Sequence, residues 1–289
     1  MKPRKGMAVL IILTLLVTIM SPAAFAGKAD VVSLGADLSK AQQDEMLREF
    51  GVSLGDVNII EVTIQDVTEH LRGIATRDQI GTHAISSAYV KLLPEGAGLR
   101  VDARNVTLVT EEMYANALVT AGVEDAQVMV AAPFNVTGTT ALTGIMMAFE
   151  EATGQRLSGF AKDAANEEII VTGDIGAKIG QSEAAKLVQN IKEEIVKRDI
   201  KSPEDIRQVI IDIANELNIK LSDEQIDQIL NLMKKISQLD LNIDDISRQL
   251  EKISKGLDVV KDTINENKGV LQKILDAIMA WLRSIFGTE

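Results

Sequence analysis

Between residues 31 and 154, short β-branched runs alternate with stretches in which apolar residues recur every three to four positions, a pattern that predicts strands and helices in succession. Residues 31–36 read as a strand. Ser39 then opens a Ser-x-x-Gln capping box with Gln42, and Met46, Leu47 and Phe50 supply an apolar face up to Gly51. Residues 57–62 are strand-like again, and Thr63 with Asp66 opens a short helix that carries Val67 and Leu71 and is closed by Gly73. Residues 84–93 and 98–108 predict two strands joined as a hairpin around Pro94-Glu95-Gly96-Ala97-Gly98, where proline presets one backbone angle and glycine permits positive ones. Thr110 caps a helix with Glu111 and Glu112 in its first turn and a stop at Gly122. A strand at 126–132 and a loop at 133–138 follow. Leu142, Ile145, Met146 and Phe149 then share one face of a helix that ends at Gly154.

Past Gly154 the signals are helical. Glu168 to Thr172 has the β-branched content of a strand, but its neighbours Ala164, Ala165 and Ile175 also permit a helix; periodicity does not decide between the two, and a helix is the expectation taken. Ser182 precedes a helix with Leu187, Ile191 and Ile195 on one face. Ser202-Pro203-Glu204-Asp205 combines a capping hydroxyl, proline at the first helical position and first-turn acids, and Ser222 with Gln225 starts another helix. Closely spaced short helices suit a small bundle. From Ile243 to Ile285 apolar residues keep a 3-4 spacing with one polar member, Asn267. That seam fits either a coiled-coil arm or helices packed back on the bundle, and Gly256 and Gly269 interrupt any rigid rod. Beyond Val270 the stripe widens, so Leu271, Ile274, Ile278, Trp281, Leu282, Ile285 and Phe286 are candidate interaction residues of an amphipathic tail. Its internal charges argue against a bilayer span, leaving a core-capping, groove-docking or membrane-surface helix.

The expected class is therefore α+β: a mixed α/β domain with a small sheet over 27–154, a helical domain over 155–240 and a heptad or amphipathic tail over 241–289. Residues 1–26 read differently. Lys2, Arg4 and Lys5 precede an apolar run from Met7 to Met20, and Ala24 and Ala26 give the small-residue pattern of a signal peptidase site. The apolar core is about 14 residues, short of the roughly 20 that span a bilayer, so cleavage after Ala26 and a secreted or envelope-attached product are expected.

Removing 26 of 289 residues leaves 263, and losing Lys2, Arg4 and Lys5 takes the formal charge from −12 to −15. So acidic a chain is a poor partner for nucleic acid, which calls for a basic footprint. Absence of cysteine removes disulfides, thiolate metal sites and a cysteine nucleophile. No catalytic, cofactor-binding or metal-ligating residue is predicted. His70 and His83 sit in no metal-ligand spacing, and no Gly-x-Ser-x-Gly elbow occurs. Adjacent Ser86 and Ser87 are expected to satisfy strand positions rather than supply a nucleophile. The acid pairs Glu111-Glu112, Glu150-Glu151 and Glu167-Glu168 are expected at solvated helix ends, because adjacent helical carboxylates diverge by about 100 degrees. One loop stands out as a ligand candidate: Asn135, Thr137, Gly138, Thr139 and Thr140, between a strand and a helix, carry hydroxyls beside free backbone amides. It lacks the lysine and glycine spacing of a phosphate loop, so helix capping is the plainer role.

The stretch from Tyr89 to Gly154, with Asn105-Val106-Thr107, Tyr114, Ala117 to Gly122, Val128 to Pro133 and Ala141-Leu142-Thr143-Gly144, resembles the YpuA-like secreted family of Gram-positive bacteria, domain of unknown function 1002. The similarity continues through Ser202 to Ile236. The resemblance implies export across a single bacterial membrane and makes the triplets at Asn105 and Asn135 improbable glycosylation sites; it implies no catalytic residues. Three functions stay open: a non-enzymatic binding protein with an envelope or extracellular protein partner or self-association through the seam; a secreted hydrolase with a serine, threonine and carboxylate site brought together by folding; and a peripheral membrane-surface protein held by its tail. A pocket near Ser86 or Thr137 to Thr140 would favour the hydrolase.

Overall fold

The computed structural model describes residues 30–250; the expected export signal, Asn267 and the tail candidates Leu271 to Phe286 lie outside them. The first unit is β1 (Val31–Gly35), α1 (Lys40–Glu49) and β2 (Asn58–Val62), followed by α2 (Ile64–His70) and the short α3 (Arg77–Ile80). Ser39 and Thr63 form the expected capping boxes with Gln42 and Asp66. Next come β3 (Ser87–Leu92), β4 (Arg100–Val106), α4 (Glu111–Ala121), β5 (Ala126–Val136) and α5 (Ala141–Thr153). The fold is mixed α and β, with its sheet in the N-terminal part and helices after it.

The expected hairpin does not form. Strand order is β2-β1-β3-β5-β4, and β5 stands between β3 and β4, antiparallel to the first and parallel to the second. The physical reason is burial. From Ala126 to Ala132 no residue of β5 is exposed, which suits an interior strand, whereas β4 is largely exposed and suits the edge. Residues 93–99 thus bridge two strand spacings, about 10 Å, rather than one. Asp125 holds this wide turn, its carboxylate accepting from Gly96 N at 3.0 Å and Gly98 N at 2.7 Å. Strand β5 also outruns its expected end. It continues through Pro133 to Val136 across a bulge in β4, where Asn105 takes a positive φ of 57° and its side-chain amide donates to the Ala132 carbonyl at 2.8 Å.

Strands β1, β2, β4 and β5 run in one direction and β3 opposes them. Helix α1 covers one face through Met46, Leu47 and Phe50 against Val32, Leu34 and Tyr89. Helices α4 and α5 cover the other through Tyr114, Leu118, Leu142, Ile145 and Met146 against Val31, Val90, Val128 and Val130.

Four helices follow: α6 (Gly159–Ile179), α7 (Gln181–Lys197), α8 (Pro203–Glu216) and α9 (Asp223–Ile236). Residues 168–172 are helical, inside α6. This helix serves two cores, with Ala165 and Ile169 in the sheet-side core and Ala164, Val171 and Ile175 in the bundle with Leu187, Ile191, Ile210 and Leu232. Ser202 and Ser222 cap α8 and α9 as expected, through Asp205 N and Gln225 N.

Residues 243–250 form a further helical stretch. Two members of the heptad seam, Ile246 and Leu250, are buried in the sheet-side core, so here the seam meets the protein's own interior. Gln249 ties it down, its carbonyl accepting from Leu99 N at 3.0 Å and its side-chain oxygen from Asp125 N at 2.9 Å. Asp30 and Leu250, the two ends of the described chain, consequently lie at the same end of the sheet, where β1, β4 and β5 begin.

Candidate functional site

The opposite end of the sheet is where β1, β2, β4 and β5 finish. In open α/β sheets the crevice outside the carboxyl ends of the strands, where neighbouring strands send the chain to opposite faces, is the natural place for a ligand. Here β1 leads to α1 on one face, β5 leads to α5 on the other, and β3 enters between them. A cavity of about 530 Å³ occupies this position.

One wall is the strap from Asp78 to Ser86 and the other is Phe134 to Thr140. Of the five candidate loop residues, Thr137, Gly138 and Thr140 line the cavity. Asn135 does not, and is exposed on β5; Thr139 is buried and its hydroxyl donates to the Gln79 carbonyl at 2.9 Å. Gly138 fixes the loop's shape. It has φ 90°, and Tyr114, fully buried, donates its phenol to the Gly138 carbonyl at 2.6 Å. A Cβ at 138 would run into Val106 Cγ1 and come within 2.6 Å of Tyr114 Oη. Burial raises the Tyr114 pKa, so the phenol keeps its proton and its donor role.

The strap contains no buried residue from Arg72 to His83. Side chains tether it at two further points: the Gln79 amide donates to Asp174 Oδ1 of α6 at 3.1 Å, and the Asp37 carboxylate accepts from Ala84 N at 2.6 Å. Burial raises the Asp174 pKa and the Gln79 hydrogen bond opposes that rise. His83 is exposed at the cavity rim, with Nδ1 2.8 Å from Thr82 Oγ1. Ser86 lines the cavity while Ser87 is buried in β3. The fold therefore gathers Ser86, His83 and Asp78, but among the described residues no hydrogen bond joins Ser86 to His83. Nothing in the sequence spacing placed Asp78, Gln79 or His83 beside the Thr137 loop, since the strap has no period and meets the loop only through tertiary folding.

A second polar cluster lies where the sheet side meets the bundle, and it corrects the reading of the acid pairs. Glu168 of α6 is 1% exposed and Lys192 of α7 is fully buried. Lys192 Nζ donates to Glu168 Oε1 at 2.9 Å, to the Asn116 carbonyl at 2.7 Å and to Thr120 Oγ1 at 3.0 Å, which uses all three ammonium protons. The Thr120 hydroxyl donates to Glu168 Oε2 at 2.6 Å. Glu150 also turns inward from α5, accepting from Leu157 N at 2.8 Å, Lys162 Nζ at 3.1 Å and Arg156 Nη1 at 3.2 Å. Burial works to raise its pKa, but the hydrogen bonds from Lys162 and Leu157 and the nearby positive charges prevail and hold it below its ordinary value. Glu111 is half-buried and goes the other way. Burial pushes it up, helped by Asp102 and Glu112, against a hydrogen bond from Ala103 N. The sequence did carry a signal for Glu168: a charge beside Ile169, Ile170 and Val171 has to find a partner once that run is buried.

Among the described residues no group of three histidines and carboxylates is placed to hold a metal, and no helix is long and apolar enough to cross a membrane. The family model described as "Protein of unknown function (DUF1002)" matches residues 34–253. The chain belongs to the DUF1002 family. A relative, the uncharacterized protein YpuA of Bacillus subtilis (strain 168), is 37% identical over 272 residues, which is 94% of this chain and 93% of the relative. No solved structure matches. The DUF1002 match takes in both walls of the crevice, the buried Glu168–Lys192 cluster and the stretch that carries Ile246 and Leu250.

Proposed function

We propose that this DUF1002 protein is an exported, non-enzymatic binding protein of the bacterial envelope, with its ligand site in the strand-end crevice and its C-terminal segment as the means of retention. The crevice carries the reading: a cavity of about 530 Å³ that combines apolar lining residues with several polar ones is the form small-ligand sites take. Its position supports a division of labour. Asp30 and Leu250 leave from the end of the sheet opposite the crevice, so a protein held at the cell surface through residues beyond 250 presents Thr137 and Thr140 away from its attachment. Export rests on the leader-like residues 1–26, and retention on the apolar stripe with Trp281.

Fractionation of cells tests the address, comparing the full chain with one ending at residue 250. Expected is envelope retention of the full chain and release of the shortened one to the medium. Cytoplasmic recovery of both overturns export; equal release of both overturns the tail's role. A fragment screen followed by amide chemical shifts tests the crevice, and bound fragments that all avoid residues 78–86 and 134–140 overturn it. A hydrolase is the second reading, favoured by Ser86, His83 and Asp78 sharing one cavity.

A further inference from the structure

Three hydroxyls in the crevice, Ser86, Thr137 and Thr140, have no side-chain hydrogen-bond partner among the described residues, in contrast to buried Thr139, which is satisfied by Gln79. Thr140 stands at the start of α5 without capping it. Asp78 is likewise without an ion pair, and His83 has one ring nitrogen beyond its contact with Thr82. Each hydroxyl both donates and accepts, the carboxylate only accepts, and the imidazole does one or the other at each nitrogen. Together they match a ligand that presents many groups able to donate and accept at once.

Charge narrows the choice. Neither lysine nor arginine lines the cavity, so a phosphate or carboxylate would meet Asp78 without a counter-charge, inside a chain of net charge −12. The apolar wall narrows it further. Phe134 is 52% exposed at the rim, a large ring left uncovered on the described surface, with half-buried Val136 on its own wall and Ile80 and Ile85 on the strap opposite. A flat aromatic face beside hydrogen-bonding groups fits a molecule with one C–H face and hydroxyls at its edge.

We propose that the crevice binds a neutral, hydroxyl-rich saccharide, stacked on Phe134 and hydrogen-bonded by Ser86, Thr137, Thr140 and Asp78. The proposal rests on the crevice reading above and adds the ligand's class. The test titrates the full mature chain with four neutral tetrasaccharides, chitotetraose, cellotetraose, maltotetraose and mannotetraose, and with anionic tetragalacturonate, following the amides of Thr82, Gly138 and Thr140. Expected is saturable shift of these amides by at least one neutral sugar and none by tetragalacturonate. Phe134→Ala, whose folding is checked by its amide spectrum, weakens binding at least about tenfold. Phe160→Ala, an exposed aromatic outside the crevice, leaves it unchanged. No shift with any neutral sugar, or equal binding of tetragalacturonate, overturns the saccharide. If fragments still bind here, only the ligand class has failed; if they too avoid these residues, the crevice itself has failed.

Discussion

Helices α4 and α5, on the sheet, and α8 and α9, in the bundle, solve burial differently. In α4, nine of eleven residues are buried, and in α5 ten of thirteen: α4 lies between the sheet and α6, and α5 lies along β1 and β3. In α8 and α9 only five and four of fourteen are buried, so one stripe faces the core and the rest faces water. Small residues make the first arrangement feasible: Ala115, Ala117 and Ala121 in α4 and Ala141, Gly144 and Ala148 in α5 let layers approach on several sides. The bundle relies instead on isoleucine and leucine along one face. A periodic pattern is thus a sign of the half-buried helix, and its blurring is a sign of a helix enclosed on several sides.

The junction between the regions is where the contrast is easiest to break. Lys192→Met leaves Glu168 buried without its counter-ion and is expected to cost about 3–5 kcal/mol, read by urea unfolding at pH 7. Adding Glu168→Leu should recover more than half of that, since the remaining groups are neutral. If the double variant is no more stable than the single one, the cluster is not a charge pair whose cost lies in exposing its partner.

A smaller effect compares one glycine from each region. Gly138→Ala combines a positive φ with a clash against the half-buried Val106 and the enclosed Tyr114 hydroxyl, and should cost about 3 kcal/mol. Gly180→Ala, between α6 and α7, has φ 104° but meets the far end of the Glu183 side chain, which can swing away. About 1 kcal/mol is expected there. Equal costs would mean that the loop around Gly138 yields as readily as a helix junction on the surface.

The smallest effect is on pH dependence. Glu150 has a folded pKa below its unfolded one, so its stabilisation is present above the unfolded value and is lost as pH falls through the folded value. Glu111 has a raised folded pKa, so its contribution is present below the unfolded value and is lost as pH rises through the folded one. Across the acid range Glu150→Gln should flatten the loss of stability on acidification, and Glu111→Gln should steepen it. Thermal unfolding from pH 3 to 7 checks both, and like-signed changes would contradict the opposite environments of the two carboxylates.

Local signals were legible wherever the physics is local. Ser39, Thr63, Ser202 and Ser222 cap the helices they announced, because a hydroxyl and the amides it serves lie within four residues of each other. Residues 168–172 were legible only in part: their β-branched content fitted a strand and their neighbours a helix, and they are enclosed in α6. Strand partners were not legible. The turn at Pro94 to Gly98 has the chemistry of a hairpin, yet β5, farther along the chain, takes the place beside β3, where its less exposed residues suit an interior position better than those of β4. The candidate loop was half legible: Thr137, Gly138 and Thr140 were singled out, while the strap that completes the cavity was not.

By itself, then, the sequence determined the order and caps of the elements, the mixed α/β start, the helical sequel and membership of a recognisable family, all of which follow from short-range pattern. Tertiary structure alone decided that β5 separates β3 from β4, that Glu168 and Lys192 meet at the junction, that Ile246 and Leu250 fill the sheet-side core, and that Ser86 and His83 face Thr137 and Thr140. Those pairings depend on which surfaces exclude water together, and burial is a property of the assembled chain rather than of any segment in it.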